Sequence, residues 1–220
     1  MPHSPPNPPR GEGRDEILRA ATLAFAERGY AGTTTAAVAR AAGVTQPLVH
    51  HHFGSKESLW HAVVDTIFED LEHTLADSVT HHLDAPLLER VEAMLRAFIA
   101  FVGRRPELSR LLVLESATPG PTFDFIFEKH LRPQLQGLQA TVALCVQQGL
   151  FRPVDLDLIP FFIIGACAHV FMVAEEVRRL THLTPTSPDA SDRFADLAVS
   201  ILLDGLRARP DADPEHKPPP

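Results

Sequence analysis

Between two proline-rich ends, the apolar residues of this chain repeat with a helical period, and no stretch shows convincing strand alternation. That feature confines the chain to an all-α fold of about nine helices, three short and closely spaced, then several long ones. The first helix is expected from about Arg14 to Arg28, with Ile17, Leu18, Ala21 and Phe25 on one face and Gly29 as its stop. Thr33 to Thr35 offer N-caps for a short second helix that ends before Gly43. Thr45 caps a third, with Pro47 in its first turn, where a missing N–H costs nothing. Ser55 caps a fourth, from Lys56 to about His81. Longer helices follow over Leu87 to Val102, Pro106 to Ala117, Phe123 to Gln148 (kinked at Pro133) and Leu158 to Arg179. Ser187 and Pro188 open the last, whose stripe is Phe194, Leu197, Ala198, Ile201 and Leu202.

Composition narrows the classes further. The longest apolar run, Leu158 to Ala174, carries Pro160 and His169 and is shorter than the roughly 20 residues a membrane helix needs. It reads as a buried core helix, with His169 as a satisfied core histidine, so no membrane partner is expected. The start, MPHSPPNPPR, has no apolar segment of the kind a signal peptide requires. Only Cys145 and Cys167 are present, both in apolar helices, which suits a reducing, cytoplasmic setting better than a disulfide framework. Residues 1–10 and 210–220 are expected to be disordered tails, too polar and proline-rich to offset ordering entropy. The net charge of −8 argues against binding nucleic acid over the whole surface. It leaves room for a small DNA-reading module on an acidic body.

The three short helices have the spacing of a helix-turn-helix, with Gly43 supplying the positive φ of a tight corner and Ala39, Ala42 and Val44 allowing close crossing. The third contains His50, His51 and His52. On a helix, consecutive side chains point about 100° apart, so these three cannot converge on one metal. A phosphate-facing role suits them better, since imidazole donates to phosphate oxygen, more strongly when protonated.

The text RDEILRAATLAFAERGYAGTTTAAVARAAGVTQPLVHHHFGSKESLW resembles the DNA-binding domain of the TetR family of bacterial transcriptional regulators. Ile17, Leu18, Phe25, Gly29, Tyr30, Thr33, the run from Ala41 to Val44, His52, Phe53, Ser55 and Lys56 fall in register with the family pattern. The resemblance implies a helix-turn-helix domain over residues 11–71 and a helical effector-binding and dimerisation domain over 72–209. It implies an inverted-repeat, double-stranded operator as partner, a homodimer built on the last two helices, and a small-molecule effector. Gln46 is expected to read adenine bidentately and Pro47 to face a thymine methyl. Lys56 resembles the family's phosphate anchor at a helix start. Thr35, Thr45 and Arg40 are further candidates for the DNA backbone. His50 and His51 stand where the family often has two tyrosines, and His52 matches an inward-packing histidine. Residues 12–71 carry five basic against eight acidic side chains, a net of −3. DNA binding should therefore depend on local placement, with a shallow salt dependence and stronger binding at mildly acid pH.

In the C-terminal half an effector pocket is expected among Phe98, Phe101, Leu111, Glu115, Phe123, Phe127, Phe162 and His169, suited to an apolar or amphipathic ligand. Glu115 and His169 are polar groups on apolar helices and need partners, in the protein or on a ligand. The leading expectation is a ligand-released repressor that is no enzyme and carries no cofactor. The alternatives are an all-α metal-dependent or enzymatic protein using its twelve histidines, and a dimeric regulator without an effector. Against the first, the sequence has no HExxH, no repeated Glu-x-x-His pair and no nucleophile motif.

Overall fold

The computed structural model describes residues 12–208, so the expected tails lie outside the described residues. The chain runs through α1 (Glu12–Gly32), α2 (Thr35–Ala41), α3 (Gln46–Phe53), α4 (Lys56–Thr80), α5 (Leu87–Arg104) and α6 (Pro106–Ala117). It continues through α7 (Pro121–Ile126), a π-helical turn (Phe127–Leu131), α8 (Arg132–Gln147), α9 (Ile159–Met172), α10 (Ala174–Thr181) and α11 (Pro188–Leu206). Among the described residues the only β feature is an isolated antiparallel bridge between Phe151 and Arg207. The fold is all-α.

One expected long helix carries a π-helical turn, and another is divided in two. Pro133 lies in helical backbone that is unbroken from Pro121 to Gln147. It sits in the first turn of α8, directly after the π turn. A proline cannot donate to the carbonyl four residues back and its ring crowds that turn, so a widened turn before it relieves the clash. The stretch expected as Leu158 to Arg179 breaks at Val173 (φ −104°, ψ 35°), and α9 and α10 diverge by 66°. No glycine or proline marks this break. Among the described residues no single helix is long and apolar enough to cross a membrane, though the bent pair α9–α10 together reaches that length and composition.

The described chain divides into two compact units. The first comprises 12–70 together with 107–128, and the second 71–106 together with 129–208. In the first, Ile17, Ala21 and Phe25 of α1 are buried with Val38 and Ala39 of α2, Val49 of α3, and Leu59, Trp60, Val63 and Ile67 of α4. Each large side chain buried this way contributes about 1.5–3 kcal/mol. In the second, α5 packs along α11 and also against α9. Gly103 makes the close approach possible: a Cβ there would stand 3.0 Å from the Phe171 ring and from Ser191 Oγ. Arg96 of α5 ties Glu92 and Asp196 together across the same helix pair. Arg152 N–H donates to Leu206 O at 2.8 Å and Ala208 N–H to Leu150 O at 3.1 Å, fastening the end of α11.

Candidate nucleic-acid interface

The corner between α2 and α3 is built from backbone hydrogen bonds. Ala42 N–H donates to Val38 O and Val44 N–H to Ala39 O, both at 2.9 Å. Gly43 between them has φ +68°, and a Cβ there would meet nothing within 4 Å. Glycine is needed for its dihedral and not for space. Of the three threonines expected to cap α2, Thr34 does so, accepting from Ala37 N–H at 3.2 Å. Thr33 is buried and donates to Ala24 O and Gly29 O, locking the turn after α1. Thr35 is left with a hydroxyl on the outer side, half-buried.

On α3 the division of faces is clean. Val49 and Phe53 are buried, while Thr45, Gln46, Pro47, His50 and His51 are exposed. Thr45 occupies the N-cap position, but its side chain makes no capping bond, contrary to expectation; Pro47 does lie in the first turn. Thr45 O instead accepts from Leu48 N–H at 3.0 Å. Gln46 Nε2 donates to Thr35 Oγ1 at 3.2 Å and lies 3.5 Å from His50 Nε2. His50 Nδ1 lies 3.1 Å from Gly54 O. His52 is half-buried, with its ring 6.4 Å from that of Phe53. Its ring also stands edge-on to that of His51, 5.4 Å away. Among the described residues no three His, Cys, Asp or Glu side chains gather where a metal would sit. Arg40, at the end of α2, is exposed.

Ser55 closes the site as sequence suggested, its Oγ accepting from Ser58 N–H at 3.0 Å. Lys56, the first residue of α4, holds its ammonium 4.2 Å from the centre of the Tyr30 ring. That ring packs against Phe25 and Trp60. A cation over an aromatic face is attracted by about 0.5–1 kcal/mol at an exposed place, so the ammonium is held at a helix start where amide dipoles also favour anions. The arrangement can grip a phosphate at Lys56 while the start of α3 faces outward.

The expected pocket residues fall into both units. In the first, Leu111 and Glu115 of α6 are buried, and Phe123 and Phe127 stack at 6.0 Å. Glu115 has its partners within the protein: Oε1 accepts from Tyr30 N–H at 2.8 Å and Oε2 from Thr122 Oγ1 at 2.6 Å. Sequence marked Glu115 as a polar group needing a partner, but nothing in its own neighbourhood showed that the partner is the Tyr30 amide, just past the break at Gly29 (φ 68°) within α1. In the second unit Phe101 is buried and Phe98 half-buried on α5. Phe162 is 63% exposed and His169 is exposed as well, so His169 is not the core histidine expected. Because α9 is apolar nearly all round, its period did not reveal which side faces out; Phe161, Phe162, Gly165, His169 and Met172 share that side. A small cavity of about 20 Å³ lies among Met94, Leu138, Thr141, Phe151, Ile163 and Leu202, with room for about one water. None of the eight expected lining residues borders it.

Comparison with known proteins gives these features a context. Residues 17–63 match the family described as bacterial regulatory proteins, tetR family. Residues 87–208 match the C-terminal domain of the HTH-type transcriptional dual regulator CecR. The chain is 26% identical over 193 residues to the HTH-type transcriptional regulator RutR of Escherichia coli strain K12, covering 88% of this chain and 90% of the relative. It is 32% identical over 157 residues to the HTH-type transcriptional repressor KstR2 of Mycolicibacterium smegmatis, covering 68% and 73%. In fold it is similar to AibR solved with isovaleryl coenzyme A and operator DNA. The TM-score is 0.68 at 24% identity, with 86% of this chain and 97% of that chain covered.

Proposed function

The chain belongs to the TetR family of bacterial regulatory proteins, and from that premise we propose that it is a repressor whose homodimer grips an inverted-repeat operator and releases it when an effector binds. It is a DNA-binding transcription regulator, and its relatives are regulators, not enzymes. The observation that carries the reading is the two-faced α3. Val49 and Phe53 anchor it inward, which leaves Thr45, Gln46, Pro47, His50 and His51 facing outward together. In this reading Gln46 and Pro47 meet base edges with His50 beside Gln46, while Thr45, Arg40, His51 and Lys56 meet phosphates.

The homodimer forms through the outward side of α9 and the side of α11 that carries Leu197 and Ile201. Phe161, Phe162, Leu197 and Ile201 are each about 60% exposed, a cost in water that a second copy removes. We assign DNA binding to residues 11–71, and effector binding and dimerisation to 72–209, in the cytoplasm. The effector is apolar or amphipathic. The ligand named for AibR, isovaleryl coenzyme A, has an apolar acyl end and a charged carrier, and serves as the first probe. The cavity among α5, α8, α9 and α11 must open for any such ligand to enter there.

The test is selection of bound fragments from the source genome, wild type beside Gln46→Ala. Enrichment of an inverted repeat, with loss of preference at one symmetric position in the variant, is the expected result. Enrichment of no fragment at any pH between about 6 and 8 would sink the reading.

A further inference from the structure

We infer that Gln46 reads its base through the carbonyl oxygen alone, because Thr35 and His50 hold its amide nitrogen inward. The inference rests on the DNA-binding reading above and refines it. An amide NH2 has two hydrogens. Two acceptors stand in reach of Gln46 Nε2: Thr35 Oγ1 at 3.2 Å and His50 Nε2 at 3.5 Å.

Which end of the amide faces them is settled by chemistry further along. His50 Nδ1 lies 3.1 Å from Gly54 O. A carbonyl only accepts, so Nδ1 carries the proton, and the neutral ring's Nε2 is then an acceptor. The Gln46 atom facing Nε2 is therefore the donor nitrogen. Gly54 has φ +74° at the end of α3, and its own N–H donates to His50 O at 2.8 Å. The chain of bonds thus runs from the fixed end of α3, through His50, to Gln46 at its start, with Thr35 of α2 fixing the amide from the side. Thr35 and His50 are positioning residues.

The consequence is a change in what Gln46 recognises. A free glutamine pairs bidentately with adenine, accepting from N6 and donating to N7. With both hydrogens engaged, only Oε1 points outward, and it accepts from any exocyclic amino group in the major groove. Adenine N6 and cytosine N4 are the two that qualify. Guanine O6 and thymine O4 are acceptors and are rejected.

The experiment uses the full chain and an operator recovered by genomic selection, remade with each of the four base pairs at the position Gln46 reads. Binding is followed by fluorescence anisotropy at about pH 8. Wild type should bind adenine and cytosine within about threefold of each other, and both about tenfold better than guanine or thymine. In Thr35→Val and His50→Ala the nitrogen is freed, and adenine should now be favoured over cytosine by about tenfold. Thr35→Ser keeps the hydroxyl and should restore the wild-type ratio, which a merely structural loss in Thr35→Val would not predict. Melting curves of each variant show that it is folded. A wild type that already prefers adenine over cytosine tenfold, or variants that leave the ratio unchanged, overturns the inference while the regulator reading stands. A wild type that enriches no operator removes both.

Discussion

Glu115 offers the sharpest measurement of what holds the helix-turn-helix unit together. The residue is 7% exposed, and its carboxylate accepts from the Tyr30 amide at 2.8 Å and from the Thr122 hydroxyl at 2.6 Å. Glu115→Ala leaves a partly buried backbone N–H without a partner. A hydrogen bond to a charged group contributes about 1.5–3 kcal/mol, and the stranded amide adds its desolvation cost. Two effects offset this: the carboxylate no longer has to be desolvated, and the Thr122 hydroxyl can turn to water. The net expectation is a loss of about 2–4 kcal/mol, or a fall in Tm of about 4–16 °C for a chain of this size. Glu115→Gln keeps an oxygen for Tyr30 N–H, and the Thr122 hydroxyl can reverse to accept from the new NH2. It should cost only about 1 kcal/mol. The assay is urea unfolding of both variants beside wild type. If Glu115→Ala costs under about 0.5 kcal/mol, or Glu115→Gln costs as much as alanine, the carboxylate does not anchor the turn and the reasoning fails.

Other expectations follow from the same geometry. Lys56→Gln should weaken binding to every DNA sequence alike and lower the salt slope by about one, as anisotropy at several salt concentrations will show. Phe162→Glu with Ile201→Glu should turn a dimer into a monomer in sedimentation without lowering helicity; a variant that stays dimeric refutes the assigned face. Gly103→Ala should cost about 1–3 kcal/mol by thermal melting, since its Cβ would press on Phe171 and Ser191. Burial pushes the Cys167 thiol from its ordinary 9.0 up to about 12. The fold disfavours this thiolate, so the contribution is intact below pH 9 and declines as pH rises toward about 12, where the unfolded chain ionises first. Cys167→Ala should flatten that alkaline decline in denaturant melts, and an unchanged slope would contradict it.

Much of the first unit was legible in sequence because local rules decide it. Gly43 at the corner, Pro47 in the first turn and Ser55 as a cap each act within a few residues, and each stands where expected. The alternation of Val49 and Phe53 with outward polar residues is likewise a short-range signal. What sequence missed depends on contacts far along the chain. Thr45 looked like a capping side chain, yet only its backbone serves. Glu115 was recognisably in need of a partner, but its partner lies 85 residues away. In the second unit α9 carries apolar residues on every side, so periodicity could not separate Phe171, which is buried, from Phe162, which is exposed. The break at Val173 has no glycine or proline to announce it.

The bond from Glu115 to Tyr30 also bears on how such regulators can be recombined. The compact unit that carries the helix-turn-helix is not a contiguous stretch of gene: 107–128 belongs with 12–70, and 71–106 intervenes. A single crossover placed just after α4 would graft this helix-turn-helix onto another body and separate Tyr30 from its carboxylate. The Tyr30 amide would then meet whatever side chain the new body supplies there. A chimera that keeps this head sound must import α6 and the start of α7 as well, so that Glu115 and Thr122 travel with the turn they hold. Exchange of heads at this site therefore requires three crossovers rather than one, near 70, 106 and 128.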